Sequence, residues 1–242
     1  MKLKGIILAG GTGTRLFPLT KVTNKHLLPV GRKPMIEHAI GQLVGAGVRD
    51  VLVVTGREHM GDVVGLLGSG AEYDCDFTYR VQDRAGGIAE ALGLARSFVG
   101  DDRMVVLLAD NIFEESLEPY MARYAAGPDG ALLLLKEVDH PERFGVAEVV
   151  GDKIVRIEEK PAEPRSRLAV VGAYMYDHRV FGFIDRLEPS ARGELEITDV
   201  NNFYIAAGAM RFEILDGWWS DAGTFESLAR INGLLAGTWE EP

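Results

Sequence analysis

The segment Leu8–Ala9–Gly10–Gly11–Thr12–Gly13–Thr14–Arg15–Leu16 follows directly on a short apolar run, and its residue types suit an anion. Glycine lets the chain turn sharply and aim successive backbone N–H groups at one point. An arginine closing such a turn grips phosphate oxygens with a planar fork of donors. Lys25 follows ten residues later, inside Asn24–Lys25–His26–Leu27–Leu28–Pro29–Val30. With Pro18 and Pro29 stiffening the stretch, a folded-back loop would bring both cations to one anion. Two carboxylates complete the set. Asp110 stands where an apolar run ends, and Asp221 lies in Trp218–Trp219–Ser220–Asp221–Ala222–Gly223–Thr224. Such hard oxygen ligands can together hold Mg²⁺ beside phosphates. Singly, each feature has an ordinary explanation: a strand-to-helix turn, a solvated lysine, an Asp–Asn cap.

Two well-known glycine loops do not fit. A dinucleotide fingerprint calls for glycine where Leu16 stands, and for an acidic residue where the second strand closes with Thr55–Gly56. A P-loop ends in Gly-Lys-Ser/Thr, which this segment lacks. The five histidines show no metal-ligand spacing. The single cysteine, Cys75, excludes an internal disulfide and fits a reducing cytoplasm. The formal net charge of −10 argues against nonspecific binding of nucleic acid or of an anionic membrane. No apolar window is long enough to span a bilayer, and the N-terminus does not read as a signal peptide. An anionic substrate must therefore be held by a local basic cluster.

The elements that must position these residues read as α/β. Lys4–Ala9, Val51–Thr55, Phe77–Gln82 and Met104–Leu108 are strand-like. Between them lie helical patterns starting at Pro34, at Met60 and at Ile88, the last running to Ala95. This rhythm predicts a mostly parallel sheet covered on both faces. Asp110 then falls at the carboxyl end of a parallel strand, where ligands bind in open α/β sheets. Beyond about residue 130 the pattern becomes mixed. Ala131–Val138, Gly145–Val150, Ile154–Glu159 and Val170–Tyr176 are strand-like, with a hairpin turn at Gly151–Asp152. Helices near Val180–Leu187 and Thr198–Ala207, a strand at Met210–Leu215 and a helix capped by Thr224 follow. The expected organisation is one domain, 1–242, with a nucleotide-facing half (1–130) and a second half mixing strands and helices (131–242).

The ordered motifs carry a resemblance. Gly10–Gly11–Thr12–Gly13–Thr14–Arg15–Leu16, Pro18, Thr20, Lys25, Leu27 and Pro29 resemble the signature of the sugar-phosphate nucleotidyltransferases. Pro141–Glu142–Arg143–Phe144–Gly145–Val146, Glu158–Glu159–Lys160–Pro161 and Ala191–Arg192–Gly193–Glu194–Leu195–Glu196–Ile197–Thr198–Asp199 resemble the glucose-1-phosphate thymidylyltransferases among them. The matches run in order from residue 5 to about 230.

The resemblance implies a Rossmann-like nucleotide-diphospho-sugar transferase fold. It implies transfer of a nucleotidyl group from dTTP to glucose 1-phosphate, giving dTDP-glucose and pyrophosphate with Mg²⁺. By position, Leu8 and Gly10–Arg15 (Thr12 and Thr14 included) would cradle the triphosphate, with Arg15, Lys25 and Lys160 as the catalytic cations. Gln82 and Gly87 would contact the base. Asp110 and Asp221 would hold the metal. Asn111, Gly145, Glu159 and Val171 would line the sugar pocket, Val171 through its backbone, while Lys160 and Arg192 would meet substrate phosphates. It also implies a homo-oligomer, tetramer or dimer.

Several departures stand out. Ala109 replaces a frequent glycine, so its methyl is expected to crowd the nucleotide. Phe144 replaces a frequent tyrosine, and Ser220 and Ala222 flank Asp221 where some relatives carry Leu and Thr. The sequence ends at Pro242, whereas longer relatives add C-terminal helices that help build a regulatory nucleotide site, which puts feedback through that site in doubt and leaves inhibition by the end product at the active site open. The alternatives to dTTP use are UTP or another hexose 1-phosphate, since one base methyl discriminates by only roughly 1–3 kcal/mol. A non-catalytic sugar-nucleotide sensor would have lost Lys25 or a carboxylate, and a dinucleotide-dependent oxidoreductase is disfavoured by Leu16 and Thr55.

Overall fold

The structure is a computed structural model that describes residues 2–11 and 13–236. The chain opens with β1 (Leu3–Ala9), the small hairpin strands β2 (Pro29–Val30) and β3 (Lys33–Pro34), α1 (Met35–Gly45), β4 (Asp50–Gly56), α2 (Met60–Leu67) and β5 (Asp76–Gln82). It continues through α3 (Ile88–Gly93), α4 (Arg96–Val99), β6 (Arg103–Leu108), β7 (Asn111–Phe113), α5 (Glu118–Ala126) and β8 (Ala131–Glu137). The last part comprises β9 (Gly145–Val150), β10 (Lys153–Glu159), β11 (Leu168–Tyr176), α6 (Val180–Ile184), α7 (Ile197–Ala206), β12 (Met210–Ile214), β13 (Trp219–Asp221) and α8 (Phe225–Ala236).

Nine strands make one sheet, in the order β10-β9-β11-β6-β1-β4-β5, with β8 also on β11 and β12 on β8. The run β6-β1-β4-β5 is parallel, as the alternating pattern predicts. Both faces of β6, β1 and β4 are covered, so these three strands are largely apolar, while β5 at the edge mixes polar and apolar residues and is mostly half-buried. Ile7, Val53 and Val105 pack against α1, α2 and α5, while Ile6, Leu52 and Val106 pack against α3, α6 and α7. Each such fully buried aliphatic side chain contributes roughly 2 kcal/mol.

The sheet does not break near residue 130. β11 pairs antiparallel with β6 on one side and with β8 and β9 on the other, so both halves share one layer. The turn at Gly151 closes the antiparallel β9–β10 hairpin, with Gly151 at φ 62°. The helix expected from Ile88 to Ala95 is α3, which ends two residues early at Gly93, and the separate short helix α4 follows it. Thr224 caps α8, its Oγ1 accepting the Ser227 N–H at 3.2 Å. No described helix is long and apolar enough to cross a membrane.

Candidate active site

The glycine loop leaves the carboxyl end of β1. Gly11 and Gly13 have φ of 96° and 62°, a region that side chains avoid. A Cβ on Gly13 would meet the side chains of Thr20 and Lys25 at 2.8 and 3.2 Å. The stretch from 13 to 25 therefore folds back on itself, as Pro18 and Pro29 suggested. Thr20 Oγ1 donates to Gly13 O at 3.0 Å and holds the fold. Thr14–Leu16 forms a single 3-10 turn that buries Leu16 and leaves Arg15 exposed. The Arg15 guanidinium lies over Gly223, where a Cβ would stand 3.0 Å from Nη2. Thr12 lies outside the described residues.

The two carboxylates are far apart in sequence and adjacent in space. β7 pairs antiparallel with β13, placing Asn111 opposite Asp221. Ala222 N–H also donates to Asp110 O at 2.7 Å. Behind this ribbon, Arg230 of α8 donates to Ser220 Oγ at 2.6 Å, and Ala222 packs with Ile231, so both departures face away from the site. Asp110 Oδ2 pairs with Lys25 Nζ, and Asp110 Oδ1 accepts from Asn111 Nδ2 at 2.9 Å. Burial works to raise the Asp110 carboxyl. The Lys25 charge and the hydrogen bonds from Lys25 and Asn111 outweigh it and hold Asp110 well below the usual carboxylate range. Asp221 has Arg143 at 3.7 Å.

Ala109 corrects one expectation. Its methyl does not crowd the nucleotide side, because it points into the core layer with Ile7 and Leu107. Strand alternation turns Leu108 and Asp110 to the opposite face. Val171 likewise sends its side chain into that core, while Val170, Gly172 and Tyr174 line a cavity. The Asn111 side chain is buried and fully engaged: Oδ1 accepts from Gly172 N–H at 3.0 Å and from Trp219 Nε1 at 2.7 Å. It fixes β11, Trp219 and Asp110 relative to one another.

Two cavities meet here. The smaller, about 290 Å³, is lined by Leu8, Gly10, Gly11, Arg15, Lys25, Gln82, Gly87 and Asp110. The larger, about 500 Å³, is lined by Asn111, Gly145, Glu159, Lys160, Arg192 and Asp221, and again by Arg15 and Asp110. Gly13, Thr14 and Val171 line neither cavity.

In the larger cavity Gly145 faces Glu159 across β9–β10. Thr198 Oγ1 donates to Glu159 Oε2 at 2.6 Å. Lys160, with φ 43°, leaves the end of β10 as its N–H donates to Phe144 O at 3.0 Å. Arg192 donates twice through Nη2 to Glu196, at 2.7 and 2.9 Å, with Glu159 and Glu194 each at 3.5 Å. The Phe144 ring packs on Trp219 with centroids 5.1 Å apart.

Sequence reasoning gave no site role to Arg143, Tyr174, Glu194, Glu196, Thr198 or Asn201, all of which line the larger cavity. Arg143, Glu194, Glu196 and Thr198 stood inside the quoted motifs. Nothing in the sequence singled out Tyr174 and Asn201.

The arrangement can hold a polyanion at the loop and a second anion beside Lys160 and Arg192, with Arg15 and the carboxylates between them. Asp110 and Asp221 offer only oxygen donors. That suits Mg²⁺, which binds one or two carboxylates and fills its remaining positions with water and phosphate oxygens. Among the described residues no group of three or more His, Cys, Asp or Glu could hold a metal by itself, so the pair would share the ion with substrate.

The sequence pattern of the nucleotidyl transferase family matches residues 4–237. A glucose-1-phosphate thymidylyltransferase of Neisseria meningitidis is 45% identical over 230 residues, covering 93% of this chain and 80% of that protein. A Bacillus anthracis crystal structure, assigned as a glucose-1-phosphate thymidylyltransferase and solved with sucrose, is 57% identical with a TM-score of 0.94. The match covers 99% of this chain and 98% of that one. A UDP-glucose pyrophosphorylase solved with UDP-glucose shares the fold at TM-score 0.88 and 24% identity, covering 99% and 100% of the two chains. With its loop, paired carboxylates and joined cavities, the chain belongs to the nucleotidyl transferase family.

Proposed function

We propose that this protein is a glucose-1-phosphate thymidylyltransferase, converting dTTP and glucose 1-phosphate to dTDP-glucose and pyrophosphate. The observation that carries the reading is the junction of the two cavities at Arg15 and Asp110. A nucleotide in the smaller cavity would present its α-phosphorus at that junction, and a sugar phosphate in the larger would approach it from the opposite side.

A sugar 1-phosphate has a second pKa of about 6, like other phosphate monoesters, so it is largely dianionic at neutral pH. It needs no general base. One of its phosphate oxygens forms the new bond to the α-phosphorus as the bond to the β-phosphate oxygen breaks, and that electron pair leaves with pyrophosphate. The obstacle is bringing two anions together. In this reading Gly10 and Gly11 turn backbone N–H groups toward the triphosphate, Gly13 lets the loop fold back against Thr20 and Lys25, and Arg15 takes charge developing on the departing pyrophosphate. Lys25 holds Asp110 and neutralises the phosphates beside it. Lys160 and Arg192 orient the attacking phosphate. Gln82 and Gly87 hold the base, and Gly145 and Glu159 the sugar. Asp110 and Asp221 would hold Mg²⁺, which when bound supplies positive charge to the phosphate oxygens. The nucleotide work falls to residues 1–130 and the sugar-phosphate work to 131–242. A cytoplasmic setting agrees with one unpaired cysteine.

The test is pyrophosphate release over a grid of nucleoside triphosphates and sugar 1-phosphates. The pair dTTP and glucose 1-phosphate is expected to give the highest kcat/KM; no release with any pair overturns the assignment. A single displacement predicts inversion at an isotopically chiral α-phosphorus, and retention would require a covalent enzyme intermediate.

A further inference from the structure

Glu90 lines neither cavity of the site, yet it fixes a group that does. It sits in the first turn of α3. Its Oε2 accepts from Arg84 Nε and Nη2, each at 3.1 Å, and its Oε1 accepts from Gln82 Nε2 at 3.1 Å. Gln82 Nε2 also donates to Gly87 O at 3.3 Å. Both donors of the Gln82 amide are thus committed. Turning the amide over would set Oε1 against two acceptors, one of them charged, so its orientation is determined. The Oε1 atom lies on the Gly10 side, 2.9 Å from where a Gly10 Cβ would be. Gly10, Gln82 and Gly87 all line the smaller cavity.

Gly86 shows that the carboxylate's place is built into the turn. A Cβ on Gly86 would fall directly on the Glu90 carboxyl group. Glycine at 86 lets the carboxylate lie close over the backbone, between Arg84 and Gln82.

We propose that Glu90, held by Arg84, is a positioning residue that fixes the polarity of the Gln82 amide, so that a bare acceptor faces the base and nucleotides whose pairing edge carries an imide N–H are selected. This rests on the nucleotidyl-transfer reading above. Thymine and uracil donate from N3. Cytosine has an unprotonated, acceptor N3, which would face Oε1 acceptor to acceptor. A site built to receive a hydrogen bond rejects the base that cannot donate one.

The full-length enzyme distinguishes these cases with dUTP and dCTP, which differ only in that edge. The measurement is kcat/KM for each with glucose 1-phosphate, in the wild type, E90Q and G86A. A glutamine at 90 can receive or donate, so E90Q frees the Gln82 amide to turn. G86A keeps every polar group and displaces the carboxylate. The wild type is expected to prefer dUTP by roughly a hundredfold, and each variant to lower that ratio about tenfold, chiefly through KM, as dCTP improves. Equal use of dUTP and dCTP by the wild type overturns the acceptor assignment. An unchanged ratio in either folded variant overturns the role of Glu90, and if E90Q does not fold, G86A decides. Failure of the underlying reading is separate: the wild type would then turn over neither dTTP nor dUTP.

Discussion

The two ends of the site are built from different materials. The nucleotide end is largely backbone: glycines at 10, 11 and 13 where β1 ends, and Gly87 where the chain enters α3, at φ 97°. Among the described residues, Lys25–Asp110 is its buried ion pair. The sugar-phosphate end is largely side chains from β10 and the approach to α7, with Glu159, Glu194 and Glu196 around Arg192. Negative charge accumulates there: burial, then the Glu196 and Glu159 charges, raises the Asp199 carboxyl. Chain conformation preorganises the first end, and a charge network preorganises the second. Losing one charge should therefore strike the reaction hard at the first end and mainly shift substrate affinity at the second.

The sharpest break is Asp110→Asn. It removes the carboxylate that pairs with Lys25 and stands where the cavities meet. Turnover should fall roughly a thousandfold, the upper range for removing one preorganised electrostatic group. The variant should also melt earlier, since Lys25 would be left buried without its partner. Near-normal kcat in pyrophosphate release would remove Asp110 from the chemistry. Arg15→Ala should cost about a hundredfold in kcat. Because Arg15 is exposed, its melting temperature should match the wild type. A variant that loses stability in place of turnover would make Arg15 a brace of the loop.

The buried framework of the nucleotide end predicts a loss of stability toward acid, opposite in sign to the effect of the raised Asp199 carboxyl at the sugar end. His26 lies directly behind the loop, with Nδ1 2.7 Å from Asn24 Oδ1. Burial, then the neighbouring Lys25 charge, lowers it to about 3. Its folded pKa is therefore below its unfolded value of about 6.5, and the unfolded chain binds the extra proton. Stability from neutral His26 is complete above pH 6.5 and is lost as pH falls toward 3, by at most about 1.4 kcal/mol per pH unit. Asp110, whose carboxyl is depressed, adds loss of the same sign only below its unfolded value near 3.9. His38 is also lowered by burial and adds to the slope above that point. Urea midpoints at pH 7, 6 and 5 should fall steadily in the wild type and less steeply in His26→Gln. Parallel slopes would show that His26 is not the group that titrates.

How much of this could be read from the residues follows the same division. The loop was legible because glycines, an arginine and two prolines act locally, over twenty residues from Gly10 to Pro29. The parallel strands β1, β4 and β6 were legible from their length and their apolar runs. α5 was not, because only Tyr120, Met121 and Tyr124 of its nine residues are buried, too few to set a period. β7 and β13, at three residues each, are too short to alternate detectably. Yet they bring Asp110 and Asp221 together, so the carboxylate pair could be suspected from residue type and not placed. The carboxylates around Arg192 come from positions 159, 194 and 196, and only the folded sheet joins the first to the others. Ala109 was misjudged because its effect depends on which face of β6 the chain presents as it leaves the strand.

The smallest effect tests the charge network itself. Glu196 receives both Nη2 and Nε of Arg192, at 2.7 to 3.2 Å. Two outcomes are physically distinct. If Glu196 aims the guanidinium at the incoming phosphate, Glu196→Gln loosens that aim. KM for glucose 1-phosphate should then rise about tenfold while KM for dTTP holds, because orientation is lost at one end only. If Glu196 instead competes with the phosphate for Arg192, the same change should lower KM for glucose 1-phosphate, since a neutral amide holds a guanidinium less tightly than a carboxylate does. The geometry favours aiming. Ser190 Oγ donates to Glu196 Oε1 at 2.7 Å, anchoring the oxygen that Arg192 Nε and Nη2 also bind. Arg192 N–H in turn donates to the same Ser190 hydroxyl at 3.2 Å, closing a ring that ties the arginine's backbone and side chain to one fixed point.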